Sequence, residues 1–490
     1  MHRMSGLDAA FLYVETPNNP MHVVGVVVLE PAAGRPAPGA ARIVEVLEQR
    51  LHLIPPFRRR MVVPPAGIDH PLWAEDPAFD VTQHVHTAAL PAPVSWADLE
   101  AFTGEVAAAP LDRGRPLWEL WVVEGLEGDR VALVTKLHHA IMDGGAGGEV
   151  MASLFDLAPD APAPPPPDEP WVPDRLPSTS SLVGGSLVSL LARQRNVPTS
   201  LVHTLQSLAG TARTWVEQRT SGAAVPALAP RCVLNGAPGP RRAVSLVSVP
   251  LADLREIRAA FGTTVNDVVL AAAGTSLRAY LAGRDALPTG PLVVAVPVSA
   301  RPNGPGGPGP GDAGDVGGGR GGGGADLGNR VSTMLVPLPL EPDDPVERLV
   351  AVHERARSAK ALHAAFGGDS IGELAGFTAP AIMVGAARLY SGLRLANLHR
   401  PLLNAIVSNM PGPPLDLYCA GARVAGIFPM GPVLGGTGIN ITVLSQADHV
   451  DVGVLACPDL VPGVGEIAAG FVDAVAELRD RARSGMVTPG

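Results

Sequence analysis

The chain has 490 residues, 46% of them hydrophobic and 17% charged, a balance that excludes intrinsic disorder for most of its length. It is about twice as long as the size at which one hydrophobic core stops growing, so two domains sharing a large interface are expected. With 47 acidic and 37 basic side chains the net charge is -10, and no dense Lys/Arg block is present to neutralise phosphates, which argues against nucleic acid as a partner.

Residues 1 to 15 carry acids and lack the apolar run of a signal peptide, so a cytoplasmic location is expected. A strand is predicted at Val23 to Leu29, helices at Ala41 to Leu51 and Trp96 to Ala108, then strands at Leu117 to Val123 and Val131 to Leu137 and a helix at Gly147 to Phe155. Nine prolines between Ala158 and Ser178 prevent helix and favour a stiff, extended connector. Leu201, Leu205, Leu208, Ala212 and Trp215 then form one apolar stripe at helical spacing. That stripe fits a helix packed on a domain or one lying on a membrane.

Beyond it come a strand at Ala243 to Val249, helices at Leu251 to Phe261 and Val265 to Ala282, and strands at Leu292 to Val298 and Val331 to Leu338. Between the last two, Pro302 to Gly328 holds fourteen glycines in 27 residues and is expected to be a disordered insertion. A helix at Pro345 to Ala365, strands at Asn440 to Leu444 and Val450 to Leu455, and a helix at Pro462 to Ser484 follow. Leu374 to Ala387 is apolar but contains Pro380 and is shorter than the roughly 20 residues a bilayer requires. The predicted organisation is mixed α/β: an N-terminal domain over 1–157, a strap with connecting helices over 158–230, and a C-terminal domain over 231–490 carrying the 302–328 insertion. Cys232, Cys419 and Cys457 are odd in number and far apart, as reduced thiols would be.

The sharpest local feature is VALVTKLHHAIMDGGAGG, Val131 to Gly148. It places His138 and His139 where a strand ends and a glycine-rich loop begins, a rigid mount with a reachable tip. Histidine can accept and return a proton near neutral pH. Asp143 lies four residues after His139, and Gly144 leaves room for a substrate to approach. The same pair would also suit two buried histidines satisfying hydrogen bonds. HHxxxD lacks the spacing of common zinc sites, so no metal is expected. Two further matches are weaker: Ser370 sits in a GxSxG pattern that follows a helical and not a strand-like segment, and Gly304, Gly306 and Gly309 spell GxGxxG inside the insertion.

The HHxxxDG stretch, His138 to Gly144, resembles the signature of the bacterial wax ester synthase/acyl-CoA:diacylglycerol acyltransferase family. The resemblance extends in order through MSGLDAAFLYVETPNNPMHV (Met4 to Val23), PPFRRRMV (Pro55 to Val62), PLWAEDPAFD (Pro71 to Asp80), LDRGRPLWEL (Leu111 to Leu120), TVNDVVLAA (Thr264 to Ala272), PVSAR (Pro297 to Arg301), GNRVS (Gly328 to Ser332), VSNMPGPP (Val407 to Pro414) and GTGINITVLSQ (Gly436 to Gln446). It implies two chloramphenicol-acetyltransferase-like domains flanking a central tunnel, with the histidine motif near the middle. It further implies transfer of a long-chain acyl group from acyl-CoA, a substrate and not a cofactor, to diacylglycerol or a fatty alcohol, and contact with a membrane or lipid-droplet surface.

In that scheme His139 removes the hydroxyl proton while the oxygen attacks the thioester directly, and His138 supports its neighbour. Asp143 shapes the loop. Asn266 is expected either to polarise groups in the tunnel or to serve as an ordinary helix N-cap. Ser408, Asn409, Pro411 and Gly412 are read as a turn in the tunnel wall, and Arg113, Arg115 and Trp118 as architectural. An esterase using Ser370 and a catalytically silent lipid-surface protein are the rival readings.

Overall fold

The computed structural model describes residues 1–32, 35–141, 150–186, 188, 229–299, 331–366 and 380–485. Asp143, Gly144, Ser370, the Leu201 stripe, the GxGxxG match and the glycine-rich insertion lie outside the described residues.

Fifteen strands are described: β1 (His2–Arg3), β2 (His22–Glu30), β3 (Arg59–Val62), β4 (Leu72–Glu75), β5 (Val85–Thr87), β6 (Trp118–Leu126), β7 (Arg130–His138), β8 (Ala243–Pro250), β9 (Leu292–Ser299), β10 (Val331–Leu338), β11 (Ala405–Pro411), β12 (Tyr418–Cys419), β13 (Ala422–Met430), β14 (Ile439–Gln446) and β15 (His449–Ala456). Among the described residues they form two six-stranded sheets, ordered β12-β13-β2-β7-β6-β5 and β10-β9-β11-β14-β15-β8, and a small sheet β1-β4-β3. The helices are α1 (Gly6–Val14), α2 (Ala40–Arg50), α3 (Trp96–Ala108), α4 (Leu251–Phe261), α5 (Val265–Ala282), α6 (Pro345–Phe366), α7 (Pro380–Gly392) and α8 (Val464–Arg483). None of them is long and apolar enough to cross a membrane.

Local signals explain most boundaries. Ser95 and Asp98 form a capping box that starts α3, and Thr264 and Asp267 form one that starts α5. Gly262, at φ +66°, closes α4 in the left-handed conformation that a residue with a Cβ resists. The 158–178 strap is free of helix, as its prolines require. It docks on the N-terminal half: Trp171 donates its indole N–H to Glu75 at 2.8 Å beneath the Arg58 guanidinium.

The two large sheets do not follow chain order. β13 pairs antiparallel with β2, from Arg423 opposite Glu30 to Met430 opposite Val24, so a strand from the C-terminal half completes the N-terminal sheet. In return α3, from the N-terminal half, covers the open edge of β8. Glu100 accepts from the Leu246 amide at 2.7 Å and the Ser245 hydroxyl at 3.0 Å, and Trp96 donates to the Leu246 carbonyl. A cluster containing Val26, Leu99 and Val134 with Leu246, Phe428 and Leu455 fills the space between the halves. At this seam the fully buried Asp451 of β15 accepts from the Ile427 amide of β13 at 2.6 Å and from the Ser248 hydroxyl of β8 at 2.5 Å.

One expectation about the candidate residues is corrected. Ser408, Asn409 and Pro411 lie on strand β11, paired in parallel with Thr442, Val443 and Ser445 of β14, and not in a turn. The Pro-Gly pair that suggested a bend ends the strand instead.

Candidate active site

The histidine motif is carried by β7, whose last residue is His138. The β2–β7 register sets His22 directly opposite His138, so an imidazole from the start of one apolar strand meets one from the end of the other. His138 ends the strand and His139 begins the turn beyond it, and the two histidines of the motif have different surroundings.

His138 is 1% exposed. The Ala140 backbone N–H donates to its Nδ1 at 3.0 Å, which leaves Nε2 to carry the proton and point it at the Glu15 carboxylate, 3.3 Å away. Burial pushes its pKa below the usual histidine value, against the pull of Glu15. Both ring nitrogens are thus committed within the protein.

Glu15 follows α1 and was not singled out by the sequence. It gathers His138, His22 with Nε2 at 3.3 Å, the Arg113 guanidinium and the Met21 amide at 3.4 Å. Burial disfavours its ionised form, but the hydrogen bonds from His138 and Arg113 and the nearby His22 ring outweigh that and hold the carboxyl far below the ordinary glutamate range. Arg113, expected to be architectural, belongs to this cluster. Trp118 is architectural as read: its indole N–H donates to the Phe57 carbonyl at 2.8 Å and its ring stacks on His84.

His139 is only half-buried. Its backbone N–H bonds to the Met21 carbonyl at 2.8 Å, and its ring stacks face to face on Phe11 of α1, centroids 4.1 Å apart and 15° from parallel. The ring is therefore held on one face by an aromatic surface while the backbone on both sides of it is pinned.

Asn266 and Asn409 are brought together from α5 and β11, the Asn409 amide donating to Asn266 Oδ1 at 3.4 Å. Asn266 is not the N-cap of α5, a role Thr264 performs, so its side chain is released for this contact. Asp267 instead accepts at 2.7 Å from the ring of His353 on α6, locking two helices together. Ser408 adjoins Asn409 on the same half-buried stretch of β11.

The wax ester synthase/diacylglycerol acyltransferase catalytic domain matches residues 4–269, and the WS/DGAT C-terminal domain matches residues 327–479. A putative diacylglycerol O-acyltransferase of Mycobacterium tuberculosis CDC 1551 is 35% identical over 98% of this chain and 90% of its own length. Another, from strain H37Rv, is 34% identical over 98% and 96%. Among solved structures, the wax ester synthase/diacylglycerol acyltransferase from Marinobacter aquaeolei VT8 superposes with a TM-score of 0.67 at 26% identity, covering 98% of this chain and 100% of that one. The first condensation domain of the calcium-dependent antibiotic synthetase, 15% identical with a TM-score of 0.57 over 99% and 98% of the two chains, shares the fold. The mixed α/β architecture is that of the chloramphenicol-acetyltransferase-like enzymes, and the chain belongs to the wax ester synthase/diacylglycerol acyltransferase family.

Proposed function

We propose that this enzyme transfers a long-chain acyl group from acyl-CoA to the hydroxyl of diacylglycerol, forming triacylglycerol, with a fatty alcohol as a second acceptor that yields wax ester, and that His139 is its general base. The observation that carries the assignment is the contrast in burial within the pair: His138 is enclosed, whereas His139 is partly exposed on a pinned backbone. An alcohol attacks a thioester slowly unless its proton leaves as the new bond forms, and a positioned base supplies about 10² to 10⁴-fold.

The His139 imidazole takes the hydroxyl proton, and the acceptor oxygen adds to the thioester carbonyl. The tetrahedral species collapses by breaking the C–S bond, and the departing thiolate recovers the proton from the imidazolium. No acyl-enzyme is formed. The Glu15–His138 pair fixes the backbone at Ala140, and Phe11 fixes the ring plane, so the base is pre-oriented. Asn266, Asn409 and Ser408 are proposed to orient substrate from the C-terminal half, with Gly144 making room beside the base, Asp143 shaping its loop, and a tunnel between the halves admitting donor and acceptor.

Incubation with palmitoyl-CoA and either dioleoylglycerol or hexadecanol, followed by CoA release and ester product, tests the reading. His139→Ala is expected to lose about 10² to 10⁴-fold in turnover while unfolding near the wild-type temperature. Full turnover in that variant, or an acylated enzyme trapped on Ser370, would overturn it.

A further inference from the structure

One surface has no part in the site above. α7 turns Met383 and Val384 inward against the N-terminal core, and its Ser391 hydroxyl lies 3.3 Å from that of Thr16, next to Glu15. Helical spacing places Leu389 on the opposite face, and Leu393, just past the helix end, donates its amide to the Leu389 carbonyl; the two are 59% and 61% exposed. The chain then turns and presents Leu398 and Leu402 at 76% and 67%. A single exposed leucine is ordinary, but four of them around one helix end mark a contact surface.

Charge says what covers it. Arg388, Arg394 and Arg400 alternate with these leucines and are exposed. Residues 374–415 contain no Asp or Glu at all, in a chain whose net charge is -10. Arg231 joins the patch by donating to the Asn397 carbonyl. On the adjoining loop, Asp459 is already neutralised by Arg241. Exposed leucines interleaved with arginines that no acid among the described residues pairs with match the boundary of an anionic bilayer, where apolar groups enter the acyl region and guanidiniums meet phosphates. A second copy of the chain fits less well, because a two-fold contact would face these arginines with their own images.

We infer that the surface formed by α7 and the turn through Leu402 docks this protein on anionic phospholipid membranes. The inference deepens the proposed acyl transfer, since α7 packs on α1, whose Phe11 holds the His139 ring. Docking would set the base one helix away from the bilayer that holds diacylglycerol.

The test is sedimentation of the full chain with vesicles of phosphatidylcholine alone and of phosphatidylcholine mixed with phosphatidylglycerol. Wild type is expected to partition at least about tenfold better onto the anionic vesicles, an advantage that salt erodes. Arg388→Glu with Arg400→Glu should reduce anionic binding by roughly 25-fold or more, at about fivefold per basic residue. Leu389→Ser with Leu393→Ser should weaken binding to both vesicle types. All of these variants should turn over detergent-dispersed substrates as wild type does, so absent turnover with intact vesicle binding would count against the acyltransferase reading alone. Equal binding to neutral vesicles, indifference to both double substitutions, or a stable dimer that the leucine substitutions dissolve without any vesicle binding would overturn the docking surface.

Discussion

Replacing Glu15 by Gln tests whether the buried network behind the motif serves catalysis as well as folding. The carboxylate receives His138 at 3.3 Å, the Arg113 guanidinium and the Met21 amide. Glutamine keeps one acceptor oxygen and turns an N–H₂ toward donors, so about two charge-assisted bonds are lost, each worth roughly 1.5 to 3 kcal/mol. Arg113 is half exposed, which places its share at the low end. The expected loss is about 3 to 5 kcal/mol, the range for breaking a buried charged pair, against a total stability on the order of 5 to 15 kcal/mol. The variant therefore folds.

Its His138 no longer has a fixed tautomer, the bond to Ala140 loosens, and a displacement on the order of 1 Å at the neighbouring base costs roughly 10²-fold in rate. Urea unfolding followed by tryptophan fluorescence, beside steady-state ester formation at neutral pH, measures both effects. Wild-type stability with wild-type turnover would refute the reasoning; lost stability with full turnover would confine the network to folding. The pH dependence carries its own sign. The depressed Glu15 carboxyl contributes stability present above its ordinary value, about 4.3, and lost only as acid approaches the lowered one. The depressed His138 gives stability present above about 6.5 and lost as pH falls below it, because the unfolded chain binds the proton first. Without Glu15 that loss below neutrality should steepen.

Three outcomes are expected at the seam between the halves. Asp451→Asn leaves the Ile427 amide and the Ser248 hydroxyl with a poorer partner and should lower stability by about 3 kcal/mol or more, read by thermal unfolding. His449, with Nε2 3.3 Å from Asp451 and Nδ1 3.0 Å from Asp448, is pushed up to about 9 by these carboxylates. Its pairing contributes stability that is full below about 6.5 and is lost as pH rises through about 9, so the melting temperature should fall between neutral and alkaline pH in wild type but not in His449→Gln. Gly453→Ala would put a Cβ 2.4 Å from the Pro429 carbonyl oxygen and 2.7 Å from Met430 Cγ, and should lower the melting temperature by forcing β13 off β15.

Local pattern was readable where it decides structure locally. Trp96 to Ala108, Leu251 to Phe261 and Val265 to Ala282 form helices over the residues that their periodicity and caps indicate. The strands β11 and β13 were not legible, because AIVSNMP and ARVAGIFPM carry the glycine and prolines of a loop and owe their extension to partners far away in the chain. Met410 packs its side chain against the N-terminal core from that unforeseen β11. Glu15 escaped because an acid just past a short helix reads as solvated. The one available signal was His22 at the head of an apolar run, since pairing that run antiparallel with VALVTKLHH sets the two imidazoles opposite each other. The motif's two histidines look alike on paper; the end of β7 tells them apart, with His138 on the strand and His139 in the turn beyond it.

The loan of β13 to the first sheet also orders events during synthesis. Until roughly the 430th residue has left the ribosome, β2 keeps a bare row of amides and carbonyls, flanked by valines, with nothing to zip against. A fragment ending near residue 157 would therefore be a nascent sheet with a sticky border. Expressed alone it should clump through that border, and adding the missing strand as a peptide should keep it dispersed.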